Sequence, residues 1–242
     1  MAWEENSHIC LHMQLIAILS RIGVTFTLDK KIRGRYEMPH TVKLCSKDFL
    51  NYIAEKNRNI SMYFDNKNDL YENMPNGIIG HILKRKNFAD IMDFTPACLS
   101  LKAVISEKVK SIFENLQINK TEYFLKEITI AGFENKFYLL FVPIIRDSEF
   151  VYPKCEFVNM FADSDKKIFK NRQEYYNDKE IYFLQKVTLS SKYQGADLLY
   201  PQGSDVFFSE RIICAFEREG VIGYDIIKGG CFYSEIDFDT VN

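Results

Sequence analysis

The feature that most constrains the fold is a pattern that occurs twice, in two distant parts of the chain. In each copy an apolar strand runs into Ser-Glu followed by a basic residue, and an amphipathic helix comes next. The copies begin at residues 103–109 (AVISEKV) and 206–212 (VFFSERI). A strand that leads into a helix at two places favours an α+β chain whose helices pack on a shared sheet.

Local chemistry explains the Ser-Glu pair in each copy. A serine ahead of a helix can accept a hydrogen bond from an unpaired amide of the first turn, and a glutamate in that turn faces the positive helix end. The apolar residues that follow at helical spacing form one buried stripe. We therefore predict that Ser106 and Ser209 are helix caps, as is Ser46 ahead of an earlier amphipathic segment.

Two β-rich runs between the copies predict an antiparallel hairpin. They are residues 122–130 and 137–145, with a turn that begins at Gly132. The near-continuous apolar stretch at residues 138–142 predicts a strand that is covered on both faces. The expected fold class is α+β, with a mixed, mostly antiparallel sheet, a few Ser-capped amphipathic helices packed on it, and two lobes.

The expected boundary between the lobes lies between a Pro-Asn-Gly turn at residues 75–77 and Pro96. We therefore divide the chain into an N-terminal lobe of residues 1–95 and an α+β domain of residues 96–242. Since no Ser/Gly-rich linker marks the boundary, the pattern fits two lobes of one body as well as two independent domains.

Composition excludes several classes of protein. Aromatic residues make up 14% and charged residues 26% of the chain, whereas a disordered chain would have fewer aromatics and a larger net charge. A net charge of -2 gives no global attraction to nucleic acid or to an anionic membrane. No apolar run approaches the ~20 residues that span a bilayer, and the N-terminus does not resemble a signal peptide. We expect a cytoplasmic protein with no direct nucleic-acid or membrane partner.

Motif searches predict no catalytic residue, no cofactor and no metal. The chain has no G-x-S-x-G, Walker, G-x-G-x-x-G or H-E-x-x-H motif. His8 and His12 have i, i+4 spacing, but a metal site needs further ligands, for which only Glu4 or Glu5 is near in sequence. We favour surface histidines. The six cysteines lack a closely spaced framework, so we expect reduced and buried thiols, including Cys214 in its apolar run.

The twice-used pattern resembles a family of bacterial immunity proteins from polymorphic toxin systems, once known as a domain of unknown function. The resemblance covers about residues 96–225. It is carried by residues 104–109 with Ile112 and Phe113, the hairpin at 123–145, and residues 207–211 with Gly220 and Gly223. The family motif supplies no catalytic residue. The resemblance implies an intracellular protein that binds a cognate toxin domain and neutralises it by occluding its active or substrate-binding surface.

Such an interface needs aromatic anchors and matched charges. We expect it in the irregular segment between the two copies, where acidic groups would mimic phosphate if the toxin attacks nucleic acid. The predicted contact residues are Asp163, Asp165, Tyr175, Tyr176 and Asp178. An ordinary solvated loop is the other interpretation of this segment.

Two alternatives come from other functional classes. One is an enzyme with a dispersed active site, such as a hydrolase or a nucleotide-modifying protein. The other is a structural or self-assembling protein that uses its β-edges.

Overall fold

The computed structural model describes residues 41–58, 73–83, 89–96, 101–159, 162–204, 206–224 and 235–239, with the backbone alone at 56–58, 102 and 162–165. His8 and His12 lie outside these residues. The chain divides into two units. The first, which we call the barrel unit, contains Tyr36–Arg146 and Gly195–Ile226, and the second, the sheet unit, contains Met1–Arg35, Asp147–Gln194 and Ile227–Asn242.

A closed six-stranded barrel forms the centre of the barrel unit. Around the barrel the strand order is β1-β2-β5-β6-β4-β3, with parallel β1-β3 and β2-β5 pairs among antiparallel ones. In chain order the strands are β1 Thr41–Leu44, β2 Ile78–Ile82, β3 Ile91–Thr95, β4 Leu101–Ser106, β5 Phe124–Ile130 and β6 Phe137–Phe141.

The expected boundary at residues 95 and 96 falls inside this barrel. Strands β1 to β3 precede it and β4 to β6 follow it, and the ladders β3-β4 and β2-β5 join the two sides. A barrel closes only when all of its strands are paired. The segments on either side of residue 96 are therefore parts of one unit, and the chain divides elsewhere.

Strand β6 is buried along its whole length, as its apolar sequence predicts. Phe137, Leu139 and Phe141 join a core that receives side chains from all six strands and so fills the barrel. Tyr138 and Leu140 point to the opposite face and join a second core. The predicted hairpin is also confirmed, because β5 and β6 pair antiparallel.

Helices α2 Glu107–Asn115 and α4 Glu210–Arg218 cover the second core and pack on each other. Phe113 of α2 and Phe216 of α4 stack, with ring centroids 6.2 Å apart and planes 21° apart. Helix α1, Lys47–Arg58, adds Phe49 and Ile53 to the core of the barrel. None of the helices in the described part of the chain is long and apolar enough to cross a membrane.

A three-stranded sheet completes the barrel unit. Its order is β12-β11-β7, with strands β7 Ile144–Ile145, β11 Leu198–Pro201 and β12 Phe207–Phe208. Strands β11 and β7 are parallel neighbours. Strand β11 thus lies between the second Ser-Glu-basic segment and the strand that follows the hairpin, and it pairs with both.

The sheet unit contains a four-stranded sheet of order β13-β10-β8-β9. Its elements are β8 Glu156–Asn159, β9 Ala162–Lys167, helix α3 Arg172–Asn177, β10 Tyr182–Ser190 and β13 Glu235–Asp239. Antiparallel pairs outnumber parallel ones across the described sheets, and helices are present in both units. The α+β class is confirmed.

The three cysteines in the described part of the chain are free thiols. Cys155 is buried as expected, whereas Cys45 and Cys214 are exposed. The expectation of burial is wrong for Cys214 because α4 buries Ile212 and Phe216 on the other side of the helix.

Candidate functional site

The two serines of the repeated motif bond to buried carboxylates instead of capping their helices. Ser106 and Ser209 occupy the N-cap positions of α2 and α4, but in the described structure neither hydroxyl accepts a bond from a first-turn amide. Ser106 Oγ donates to Asp90 Oδ1 at 2.8 Å, and Ser209 Oγ donates to Asp197 Oδ1 at 2.6 Å. Each serine side chain is thus oriented by a charge-assisted bond to the carboxylate, and the predicted side-chain cap is absent.

Ser46 also has a tertiary role. Its carbonyl accepts the amide of Leu50 at 2.9 Å, which starts α1. Its hydroxyl accepts the amide of Ile79 at 2.6 Å and donates to the carbonyl of Gly77 at 3.3 Å. The side chain therefore joins the beginning of α1 to β2.

The basic residue of each motif completes the pairing with the same carboxylate. Lys108 Nζ donates to Asp90 Oδ2 at 2.9 Å. Arg211 donates from Nε to Asp197 Oδ1 at 2.6 Å and from Nη2 to Oδ2, which is a bidentate pair. We call the first set, Asp90 with Ser106 and Lys108, the Asp90 cluster. The second set, Asp197 with Ser209 and Arg211, is the Asp197 cluster.

Both aspartates are buried, with 3% of Asp90 and 5% of Asp197 exposed. A buried carboxylate is stable only when it is paired and hydrogen-bonded. In the Asp197 cluster the guanidinium of Arg211 and the hydroxyl of Ser209 hold the pKa of Asp197 below its usual value, against the opposing effect of burial. The side chains therefore form structural ion pairs at the starts of α2 and α4.

The strands that follow the two aspartates pair with the same register in both copies. Asp90 directly precedes β3, whose first residue Ile91 pairs with Ile105, the residue before Ser106. The second copy has the same register between β11 and β12, where Leu198 pairs with Phe208. The amide of each serine donates to its aspartate's carbonyl at 2.8 Å. Each copy is a β-hairpin that feeds a helix.

The helices end in the same way. The amide of Ile118 donates to Phe113 O at 3.0 Å, and the amide of Val221 donates to Phe216 O at 2.9 Å. The residue before each of these amides has a positive φ, 52° at Gln117 and 59° at Gly220. These are the features of a Schellman C-cap. The structural match thus extends from the aspartate to the residue after the helix.

The two copies exchange contacts reciprocally. Lys108 Nζ at the start of α2 donates to the carbonyl of Gly220 after α4, at 3.3 Å. Arg211 Nη1 at the start of α4 donates to the carbonyl of Leu116 after α2, at 3.0 Å. A cation at a helix C-terminus is favourable for the helix dipole. The two helices are therefore antiparallel, and each is fastened at its end by the other's basic residue.

An open cleft of about 450 Å³ lies beside the Asp90 cluster. Within it, Glu107 accepts bonds from Lys110 at 2.8 Å and from the hydroxyl of Tyr138, and these donors lower the pKa of Glu107. Its lining residues include Ser106, Glu107, Lys108, Asn135, Lys136 and Ile222. The charged and amide side chains of this lining suit polar contacts. The hydroxyl of Ser106 is not free for a nucleophilic role, because Ser106 is only 6% exposed and its proton is donated to Asp90.

The predicted contact residues on α3 are engaged within the sheet unit. The ring of Tyr175 packs on Phe157 and Phe169, with centroid distances of 5.0 and 5.2 Å, and burial raises the pKa of Tyr175 to about 12. Asp178 forms an ion pair with Lys167. The third residue, Tyr176, belongs to a separate hydrogen-bond network.

That network surrounds Asp147, a buried residue that sequence reasoning missed. Asp147 Oδ2 accepts bonds from the Tyr176 hydroxyl at 2.6 Å, Arg172 Nε at 3.0 Å and the Tyr152 hydroxyl at 3.1 Å. Burial and the neighbouring carboxylate raise the pKa of both tyrosines. These contacts fix α3 on the sheet unit, so Tyr175, Tyr176 and Asp178 hold the unit together. The side chains of Asp163 and Asp165, on β9, lie outside the described residues.

The residues predicted from the sequence did not include Asp90 and Asp197, although a repeated sequence pattern marks both positions. Each follows an alanine and precedes an apolar strand, in Ala-Asp-Ile at residues 89–91 and in Ala-Asp-Leu at residues 196–198. The repeat therefore begins earlier in the chain than the Ser-Glu-basic motif.

In the part of the chain that the structure describes, no group of three or more His, Cys, Asp or Glu residues is placed to hold a metal ion. The chain matches no protein-family model, and no curated protein matches it.

Proposed function

We propose that this protein is an immunity protein that binds a cognate bacterial toxin domain in the cytoplasm and occludes its active or substrate-binding surface. The observation that carries the proposal is the equivalence of the two Ser-Glu-basic segments, on which the resemblance to that family rests. Two matches to a short motif can arise by chance. Two matches that share an aspartate partner, a strand register and a helix end are one structural unit used twice.

The contacts of the motif support a binding role. Ser106 and Ser209 give their protons to buried carboxylates, which are already paired with Lys108 and Arg211. Polar groups used in this way stabilise a scaffold. On such a scaffold, inhibition of a toxin depends on surface complementarity and requires no turnover by the protein itself.

Within this proposal, the contact residues divide into two groups. Tyr175, Tyr176 and Asp178 would meet a toxin only through the surface that their internal contacts leave exposed. Asp163 and Asp165 on β9 remain the acidic contacts that would replace phosphate groups of a nucleic-acid substrate.

The proposal predicts that a large secreted protein with a C-terminal toxin domain is encoded immediately upstream of the gene for this chain, and the test uses that domain. Cells that express the toxin domain alone should die, and cells that also express this chain should survive. The two proteins should co-purify, including when the toxin domain carries an inactivating substitution. Continued cell death together with failure to co-purify would overturn the proposal. Turnover by this chain that is lost on substituting one His or Cys would favour the enzyme alternative.

The acidic contacts have their own test. The double variant Asp163→Lys with Asp165→Lys should weaken co-purification and protection. The double variant Glu127→Lys with Glu134→Lys provides the matched control, since it also reverses two charges and both glutamates are exposed and belong to the barrel unit. Equal effects of the two changes would show that Asp163 and Asp165 are not interface residues. They would not contradict the proposed immunity role.

A further inference from the structure

We infer that the Asp90 and Asp197 clusters are the two ends of one clasp, so that α4 and its flanking strand segments detach from the barrel as a single piece. We call this piece the clasp segment; it comprises residues 197–204 and 206–222. A helix fastened independently at its two ends would instead fray from either one. The inference does not depend on the proposed function.

The first argument is that each cation joins the two copies at one end of the antiparallel helix pair. Arg211 is oriented by Asp197 and bonds the carbonyl of Leu116 at the end of α2. Lys108 is oriented by Asp90 and bonds the carbonyl of Gly220 after α4. Loss of either aspartate therefore releases a cation that also holds the other copy's helix.

The second argument concerns the chain that follows each helix. After α4, the amide of Ile222 donates to Asp90 Oδ2 at 3.1 Å, and its carbonyl accepts the amide of Ile91 at 3.1 Å. After α2, Glu122 Oε2 accepts the amides of Asp197 at 2.8 Å and Leu198 at 2.9 Å. Each aspartate is thus supported by the segment that follows the helix of the other copy.

The third argument is mechanical. A helix of nine residues is about 13 Å long and moves as a body because every turn is hydrogen-bonded. The buried residues Ile212, Ala215 and Phe216 run along most of α4. Displacing one end by enough to break a cluster would strip part of this stripe from the core and leave a buried charge unpaired, which is strongly destabilising. Partial opening is therefore disfavoured relative to release of the whole segment.

Amide hydrogen exchange of the full chain, followed by NMR, tests the inference through the variant Asp197→Asn. The amides of Leu198 and Ser209, which lie at the substituted end, should exchange faster by about tenfold or more, as expected when hydrogen bonds to a charged group are lost. The amides of Ile222 and Ile91, whose hydrogen bonds join the clasp segment to the barrel at the Asp90 end, should accelerate by the same factor. The Leu139 amide, inside the barrel, should keep its protection.

Each contrary result has a definite meaning. Acceleration of Leu198 and Ser209 without Ile222 and Ile91 would overturn the inference, because the two ends would be independent. Equal acceleration of the Leu139 amide would also overturn it, because the barrel would then open together with the clasp segment. No acceleration at any of these amides would also overturn the inference, because the Asp197 cluster would then not hold the clasp segment on the barrel.

Two further variants complete the design. Asp147→Asn in the sheet unit is the matched control, because it also removes a buried, multiply bonded carboxylate but should leave both ends of the clasp segment unchanged. Ser209→Ala is the milder variant to use if Asp197→Asn does not fold. It should accelerate the same amides at both ends by a smaller common factor.

Discussion

Replacing Gly223 by alanine tests how closely the chain after α4 approaches the barrel. Gly223 has a φ of +99°, and an added Cβ would lie 2.0 Å from the carbonyl oxygen of Ile91 and 2.7 Å from the Cβ of Ala89. The obstacle is backbone at the start of β3, so it cannot rotate aside. We expect about 1–2 kcal/mol for the left-handed conformation and about 1–3 kcal/mol for overpacking. The free energy of unfolding should fall by about 2–5 kcal/mol.

Gly220→Ala is the matched control. Gly220 has a φ of +59°, but no atom lies within 4 Å of the added Cβ, so only the conformational cost of about 1–2 kcal/mol applies. Urea denaturation followed by far-UV circular dichroism measures both variants. With an m-value of about 2 kcal/mol/M, Gly223→Ala should lower the midpoint by about 1–2.5 M and Gly220→Ala by about 0.5–1 M. Equal losses for the two variants would refute the steric reasoning at Gly223.

Three other predictions use the same structure. Gln117→Gly should raise the free energy of unfolding by up to about 1 kcal/mol, because Gln117 has a φ of 52°; a lower melting temperature would contradict this. Arg211 lowers the folded-state pKa of Asp197, so the stability that this carboxylate contributes is present above its ordinary pKa of ~3.9 and is lost as pH falls through the folded value. The difference in urea midpoint between wild type and Asp197→Asn should therefore be constant near neutral pH and shrink below about pH 4. Iodoacetamide should alkylate exposed Cys214 in the native protein and spare Cys155, whose pKa is raised by burial; peptide mass spectrometry would show equal labelling if this were wrong.

The local patterns predicted the elements that depend on neighbouring residues. The hairpin of β5 and β6 followed from β-rich runs around a turn, and the burial of β6 followed from its apolar sequence. The barrel could not be predicted in this way. Its closure depends on the parallel pairs β1-β3 and β2-β5, which join distant segments with no turn to fix their register.

The candidate site shows the same limit. The capping rule considers only the first turn after Ser106, whereas the partner that takes its proton is Asp90, which precedes it by 16 residues. On α3, the run from Tyr175 to Asp178 has the polar composition of an exposed loop. The tyrosines are nevertheless held by the aromatic core and by Asp147, because the short helix turns one face to the sheet.

The order in which the chain is synthesised gives the reciprocal contacts a further consequence. All six barrel strands exist once Phe141 has left the ribosome, but Ile222, which completes the Asp90 cluster, follows roughly 80 residues later. At ~5–20 residues per second this delay lasts several seconds. During this time Phe113 also lacks its stacking partner, Phe216. A nascent chain therefore exposes an apolar surface and a half-paired carboxylate before its own C-terminal segment can cover them, and during this interval that surface is open to misfolding and to capture by chaperones.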